Sequence, residues 1–415
     1  INKQAAKYDR VIDVLLELHI AEEATFYSRN NAFSMMGFDT FTSKECMNIS
    51  QYTPNGNWPT DDVLVQETVK AMNATENQSD FVYTITVEGH GDYPTEKVLE
   101  NPDILVSGAA DEASNNQWEY YVNMIHEVDD FIGDLITAVD RRGEDTIIVF
   151  FGDHLPTMGL TDADMKSGDI FKTKYITWNN MGLAKKDADL TAYQLLAHIT
   201  DQAGIHEGTM FRYHQTQTAS ETYLSGLEDL QYDLLYGKRY TYGGEDRYPA
   251  SDLVMDVEDV TVSSVRKNTS NNTLTVYGAN FTKNTKIFVN GNKVPTTFLT
   301  SNLITTSLDN VQNGDTITVN ILGSKSLLLR AGTGEVVYED PDIVPETEDP
   351  TEIPDTTATE MKNTETESSE TKNSETESSE MKNTETEGSE TGSSETTSKT
   401  DSSAVTSEAA SDSNN

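Results

Sequence analysis

Two kinds of apolar spacing alternate through the first part of the chain. Phe81-Val82-Tyr83-Thr84-Ile85-Thr86-Val87 is β-branched and mostly apolar, and Thr146-Ile147-Ile148-Val149-Phe150-Phe151 is a continuous apolar run that stops at Gly152. Runs of this kind fit strands buried on both faces of a parallel sheet. Between them, Gln117 to Arg142 carries Val122, Ile125, Val128, Ile132, Leu135, Ile136 and Val139 at three- and four-residue spacing, which predicts a helix. Arg141 and Arg142 suit the negative end of its dipole, and Gly143 stops it. Strand, helix and strand in this order predict an α/β fold with a parallel sheet over residues 1–245.

From Val254 to Tyr338 the helical spacing disappears. Thr273-Leu274-Thr275-Val276-Tyr277, Lys286-Ile287-Phe288-Val289 and Thr316-Ile317-Thr318-Val319 are short strand patterns, and Asn290-Gly291 between two of them signals a tight hairpin. Residues 254–338 therefore read as a small all-β sandwich. From Asp340 the pattern is lost. A Thr, Ser and Glu-rich repeat, MKNTETESSE and its variants, starts at 361, 371 and 381. Only an occasional Met could be buried, so residues 340–415 are expected to be a disordered acidic tail rather than a solenoid.

Composition sharpens this picture. The 415 residues hold 70 Asp and Glu against 29 Lys and Arg, a formal net charge of −41. Nucleic acid is thereby a poor partner, since it calls for a basic stripe, and anionic lipid headgroups would repel the chain. Cys46 is the single cysteine, which excludes an intrachain disulfide and a cysteine-based zinc site. So little cysteine suits a cytosolic protein or a Gram-positive surface protein. No apolar run reaches the ~18 residues of a membrane span. Val11 to Leu18 is broken by acids, so it does not read as a signal peptide. The chain begins at Ile1, which reads as a processed or truncated start.

Three places carry candidate chemistry. Asp153-His154 follows the apolar run ending at Gly152, at the strand end where α/β folds place ligands. A carboxylate and an imidazole there suit a divalent metal, or else a surface turn with an incidental His. His90, between Gly89 and Gly91, could donate to an anionic oxygen or be a loop histidine without a role. Arg29, after Phe26-Tyr27-Ser28, could grip a phosphate through its planar fork or lie along the surface. His126 reads as a structural or surface side chain, His198 as structural, His206 and His214 as loop residues, and Asp129 and Asp130 as solvated or capping a neighbouring loop.

Taken in order, Thr25-Phe26-Tyr27-Ser28-Arg29-Asn30, Met36-Gly37-Phe38-Asp39-Thr40-Phe41, Thr84 to Pro94, Phe151-Gly152-Asp153-His154-Leu155-Pro156 and Tyr175-Ile176-Thr177-Trp178-Asn179-Asn180 resemble lipoteichoic acid synthases and related phosphoglycerol transferases of the sulfatase and alkaline phosphatase superfamily. The resemblance covers residues 19–215. It implies part of a sulfatase-like sheet flanked by helices. Asp153 and His154 would be ligands of manganese, or of another divalent cation such as magnesium. His90, Arg29 and Tyr27 would contact the glycerol phosphate group. The implied partners are a phosphatidylglycerol-type lipid and a teichoic acid-type polymer, at the extracellular face of a Gram-positive cell membrane.

The chain departs from that pattern. The family's metal-binding Glu, nucleophilic Thr and membrane helices would all precede position 1, so membrane association would come from an N-terminal region absent here. The expectation is a half-site, inactive as this fragment, with Glu22, Glu23 and Glu88 as candidates for a missing ligand. A sulfatase or phosphoethanolamine transferase relative, and a non-catalytic surface module, are the alternatives. Val276-Tyr277-Gly278-Ala279-Asn280-Phe281-Thr282 and Ile287-Phe288-Val289-Asn290-Gly291 resemble an IPT/TIG-type immunoglobulin-like domain. That resemblance implies a surface-exposed spacer or binding module, here with cell-wall contact through the β-domain.

Overall fold

A computed structural model describes residues 15–19 (as backbone), 24–25, 28–75, 78–246 and 249–343. Strand β1, Leu15–His19, leads through helix α1, Arg29–Met36, to β2, Thr40–Ser43. Gly37 closes α1 at φ 87°, a left-handed cap that costs glycine little. Helix α2, Asp62–Asn73, precedes β3, Phe81–Ile85, and helix α3, Glu112–Arg142, precedes β4, Ile147–Phe151. After β5, Tyr175–Asn179, come helices α4, Ala192–Gln202, α5, Thr209–Gln217, and α6, Tyr223–Leu235. The short β6, Val254–Met255, returns the chain to the first sheet.

That sheet has the order β3-β1-β2-β6. Each of its pairs is parallel, with His19 opposite both Ile85 and Ser43. The loops after β1, β2 and β3 therefore all leave one edge of the sheet.

The expected parallel sheet is present, but the Thr146–Phe151 run does not join it through hydrogen bonds. β4 pairs antiparallel with β5, Ile147 opposite Asn179 and Phe151 opposite Tyr175. Nor is β4 buried on both faces. Its first four residues are half-buried and Phe151 is 47 % exposed. Ile148, Phe150 and Trp178 pack on a cluster built from Leu64 of α2, Val87, and Phe131, Leu135 and Val139 of α3. Helix α3 starts five residues earlier than its apolar spacing indicates, because the Asp111 carboxylate accepts from the Ser114 amide and caps it. Its buried face keeps Leu135 and Val139 of the predicted stripe, but in the N-terminal half Tyr120 and Met124 are buried while Ile125 is 42 % exposed.

The β-sandwich packs one sheet, β11-β12-β8-β7, against another, β10-β9-β13-β14 with β15 beside β13. These strands are β7, Thr261–Asn268; β8, Thr273–Ala279; β9, Thr285–Val289; β10, Asn292–Lys293; β11, Thr297–Thr300; β12, Leu303–Ser307; β13, Thr316–Leu322; β14, Leu328–Ala331; and β15, Val336–Val337. The β9–β10 hairpin turns at Asn290 and Gly291, both at positive φ (50° and 77°), as its Asn-Gly sequence predicts.

The sandwich is not a free spacer. One continuous core runs from Ala24, Phe33, Phe38, Phe41 and Cys46 through Met255 into Val260, Leu274, Val276, Phe281, Ile287 and Ile317. Phe33 meets Phe38 and Phe41 edge-on, with ring centroids 5.4 and 5.0 Å apart, a geometry worth about 0.5–1.5 kcal/mol per pair beyond area burial. Polar bonds cross the same junction. The Thr282 hydroxyl donates to the Glu45 carbonyl at 2.7 Å, Lys283 Nζ donates to the Ile49 carbonyl at 3.2 Å, and Arg330 donates to the carbonyls of Met255 and Asp256. A free spacer does not fit this arrangement, since Phe41 and Met255 belong to the same core as Leu274 and Ile317 of the sandwich. The acidic tail expected from Asp340 lies almost wholly outside the described residues. Its first acids, Asp340 and Asp342, pair with Lys267 of β7 at 2.8 and 2.9 Å.

Candidate metal and phosphate site

The site forms where the loops after β3 and β4 meet. β3 stops at Ile85, two residues short of its apolar pattern, because the next amides are taken elsewhere. Asp61 stands just before α2, yet its side chain makes no bond to that helix. It accepts instead from the Val87 amide (Oδ1, 2.9 Å) and the Glu88 amide (Oδ2, 3.2 Å), and the Asp61 amide donates to Glu88 Oε2 at 2.9 Å. Burial pushes both carboxyls up, Asp61 to about 7 and Glu88 to about 7, with the backbone amides pulling the other way.

Beyond this clasp the chain turns tightly, the His90 amide donating to the Val87 carbonyl at 2.9 Å. Gly89 leaves room here for the tip of one side chain. A Cβ at that position would stand 2.8 Å from Ile125 Cδ1, the apolar residue that α3 leaves outside its buried face. His90 is exposed at the tip, its ring 4.8 Å from Trp58 and 6.3 Å from His154, centroid to centroid.

Asp153 and His154 follow β4 directly. His154 Nδ1 lies 2.9 Å from the Leu155 carbonyl, an acceptor only. Nδ1 therefore carries the proton and leaves the Nε2 lone pair outward. That Nε2 is 3.8 Å from Asp153 Oδ1, a spacing at which one ion can lie ~2 Å from each. The donor chemistry fits a divalent metal as two ligands of a larger set. Among the described residues no group of three His, Cys, Asp or Glu is placed to hold one. Glu88 is not the third ligand, because it is buried and engaged with Asp61. Glu22 and Glu23 lie outside the described residues, as does Tyr27.

Arg29 is the first residue of α1, half-buried, after Ser28 at φ 55°. It follows β1 as His90 follows β3, so both stand on the same sheet edge. The segment before it is anchored by buried Glu45, which accepts from the Ala24 amide (3.2 and 3.3 Å) and the Ser43 hydroxyl (2.6 Å). The structure thus brings Asp153, His154 and His90 together and places Arg29 on the edge that carries His90. Trp58, Asp61 and Glu45 escape sequence reasoning, since a lone Trp or acid in a loop has no periodicity to betray it. His214 also differs from expectation: it lies on α5, buried, 2.7 Å from the Tyr223 hydroxyl, and not in a loop. Burial lowers its pKa.

The Sulfatase family model matches residues 4–225, and an IPT/TIG domain model matches residues 260–333. The chain belongs to the sulfatase family, whose enzymes generally use divalent metal ions. A protein of Rhizobium meliloti (strain 1021), described as modifying cyclic beta-1,2-glucan, is 25% identical over 258 residues, 52% of this chain and 40% of that protein. The chain is also similar to solved structures. A phosphoglycerol transferase of Streptococcus pyogenes in complex with sn-glycerol-1-phosphate has 16% identity and TM-score 0.45, covering 57% of this chain and 64% of that one. The lipoteichoic acid synthase of Listeria monocytogenes has 20% identity and TM-score 0.30, covering 40% and 43%. An alkaline phosphatase superfamily protein of Vibrio parahaemolyticus has 10% identity and TM-score 0.35, covering 80% and 63%. The chain thus spans less than two thirds of the length of each of these proteins. No helix among the described residues is long and apolar enough to cross a membrane.

Proposed function

We propose that this chain supplies Asp153, His154, His90 and Arg29 to the metal and phosphate site of a phosphoglycerol transferase of the lipoteichoic acid synthase type. The enzyme would work at the extracellular face of a Gram-positive membrane, moving glycerol phosphate from a phosphatidylglycerol-type lipid to an envelope polymer. One observation carries the reading: the His154 Nε2 lone pair and the Asp153 carboxylate lie 3.8 Å apart, with the His90 ring beside them on a sulfatase-family chain. A polymer acceptor is in keeping with the relative described as a glucan modification protein.

In this reading Asp153 and His154 Nε2 hold a manganese-type ion, which when bound supplies Lewis acidity to a phosphoryl oxygen. His90 offers an imidazole N–H to a second oxygen in either tautomer. Arg29 adds a planar two-pronged donor on the same sheet edge. Cell-wall contact through the β-domain belongs to the same proposal.

The test is calorimetric titration of the chain with manganese, then with sn-glycerol-1-phosphate. The phosphate should bind measurably only in the presence of manganese, and His154→Ala should abolish that binding. Equal phosphate binding by the chain and by His154→Ala would overturn the assignment.

A further inference from the structure

The strongest feature that this reading leaves unused is the segment between β2 and α2. It reaches over to the His90 loop and grips it at four residues, two before Gly89-His90 and two after. Asp61 takes the amides of Val87 and Glu88. Trp58 Nε1 donates to the Gly91 carbonyl at 3.1 Å, and Asn55 Nδ2 donates to the Asp92 carbonyl at 3.0 Å. Asp92 sits at φ 64°, a left-handed conformation that a non-glycine residue keeps only when its surroundings fix it. Trp58 is itself fixed: its amide donates to Thr53 Oγ1 at 3.2 Å, and its carbonyl accepts from the Thr53 amide at 2.7 Å. Between the bonds to Gly91 and to Val87–Glu88, the indole meets the His90 ring at an interplanar angle of 75°.

We infer that Trp58 and Asp61 are positioning residues that hold the His90 imidazole at the phosphate of the substrate. A side chain as exposed as His90 would otherwise sample several rotamers, and fixing it beforehand lowers the ordering cost of binding. Three constraints converge on one residue. Asp61 fixes the backbone before it, the Trp58 N–H fixes the backbone after it, and the Trp58 ring limits its rotation. Ile125 Cδ1 lies against Gly89, next to His90 in the chain. A structural role alone explains Asp61, which joins α2 to β3. The Trp58 ring also packs on the cluster around Leu64, but packing alone does not direct its N–H to the Gly91 carbonyl or its edge to the His90 ring. The consequence for substrate rests on the function proposed above, whereas the fixing of His90 does not.

The experiment reads both. His90 ring resonances are followed by NMR in the manganese-free, histidine-labelled chain, assigned with His90→Gln, and glycerol phosphate affinity is measured with manganese added. In Trp58→Ala the His90 resonances should lose the displacement imposed by the indole ring current, with the buried His214 resonances unmoved as evidence of an intact fold. Glycerol phosphate affinity should fall on the order of tenfold, as outer supports of a site usually cost. Trp58→Phe keeps a ring and loses the N–H, so it should fall between. Unchanged His90 resonances in Trp58→Ala would overturn the inference. If the unaltered chain does not bind glycerol phosphate, the proposed function fails, and the resonances still decide whether Trp58 fixes His90. If Trp58→Ala loses the His214 signals, Trp58→Phe decides: a displaced His90 resonance supports the inference and an unmoved one defeats it.

Discussion

Asp61 shows what one side chain can settle. It makes no cap to its own helix and accepts instead two amides from the turn after β3, at the start of the His90 loop. Asp61→Ala leaves both amides buried without partners and should cost about 3 kcal/mol, measured by denaturant unfolding. The pair it forms with Glu88 also predicts a pH dependence. Both carboxyls are raised to about 7, above unfolded values near 4, so the folded state binds more protons between those limits. This contribution is fully present below about pH 4 and is lost as the pH rises through 7. Unfolding midpoints should fall from pH 5 to pH 8, and Asp61→Asn should flatten that slope. An identical slope in both proteins would show that the pair does not titrate in this range. None of this was legible in the sequence, because Asp61-Asp62 before an apolar helix reads as an ordinary acidic start.

At the scale of elements, the sequence announced strands better than their neighbours. The runs at 81 and 146 are strands, but their apolar content says nothing of pairing, and β4 goes antiparallel with β5 because the loop after Gly152 brings Tyr175 back beside Phe151. The α3 stripe was legible as a helix, and as a face at Leu135 and Val139 but not at Ile125. Burial follows Tyr120, Met124, Phe131 and Leu135, while Ile125 is kept for Gly89. That contact can be tested. Gly89→Ala should displace the His90 loop, seen as altered His90 resonances, and adding Ile125→Val should restore it, since that change removes Cδ1 alone. A double variant no closer to the original than the single one would mean that Ile125 does not shape this turn. In the sandwich the space is stricter. A Cβ on Gly278 would stand 1.9 Å from the Thr261 carbonyl oxygen and 2.4 Å from Phe281, so Gly278→Ala should cost at least about 3 kcal/mol of unfolding free energy.

At the scale of the molecule, the two regions that the pattern separates share one core. The Asn290-Gly291 hairpin and the small β-sandwich were readable from turn chemistry, whereas docking was not, because Phe41 and Met255 carry no sign of what covers them. Removing residues 260–343 should therefore lower the melting temperature of the remainder sharply. Unchanged melting would restore the spacer reading. The candidate site was legible as pairs of residues at strand ends, and it needed the fold to show that His90 and His154 are neighbours. The central claim is that Asp153, His154 and His90 form one ion and phosphate site on a chain whose acids offer a divalent cation many weak alternatives. Manganese is paramagnetic, so the most direct measurement is the broadening of histidine resonances as small amounts of manganese are added. His154 and His90 should broaden first and together, with His206 and His214 unaffected, and Asp153→Asn should remove the preference. Broadening that spares His154 and His90, or that survives Asp153→Asn, would contradict the account.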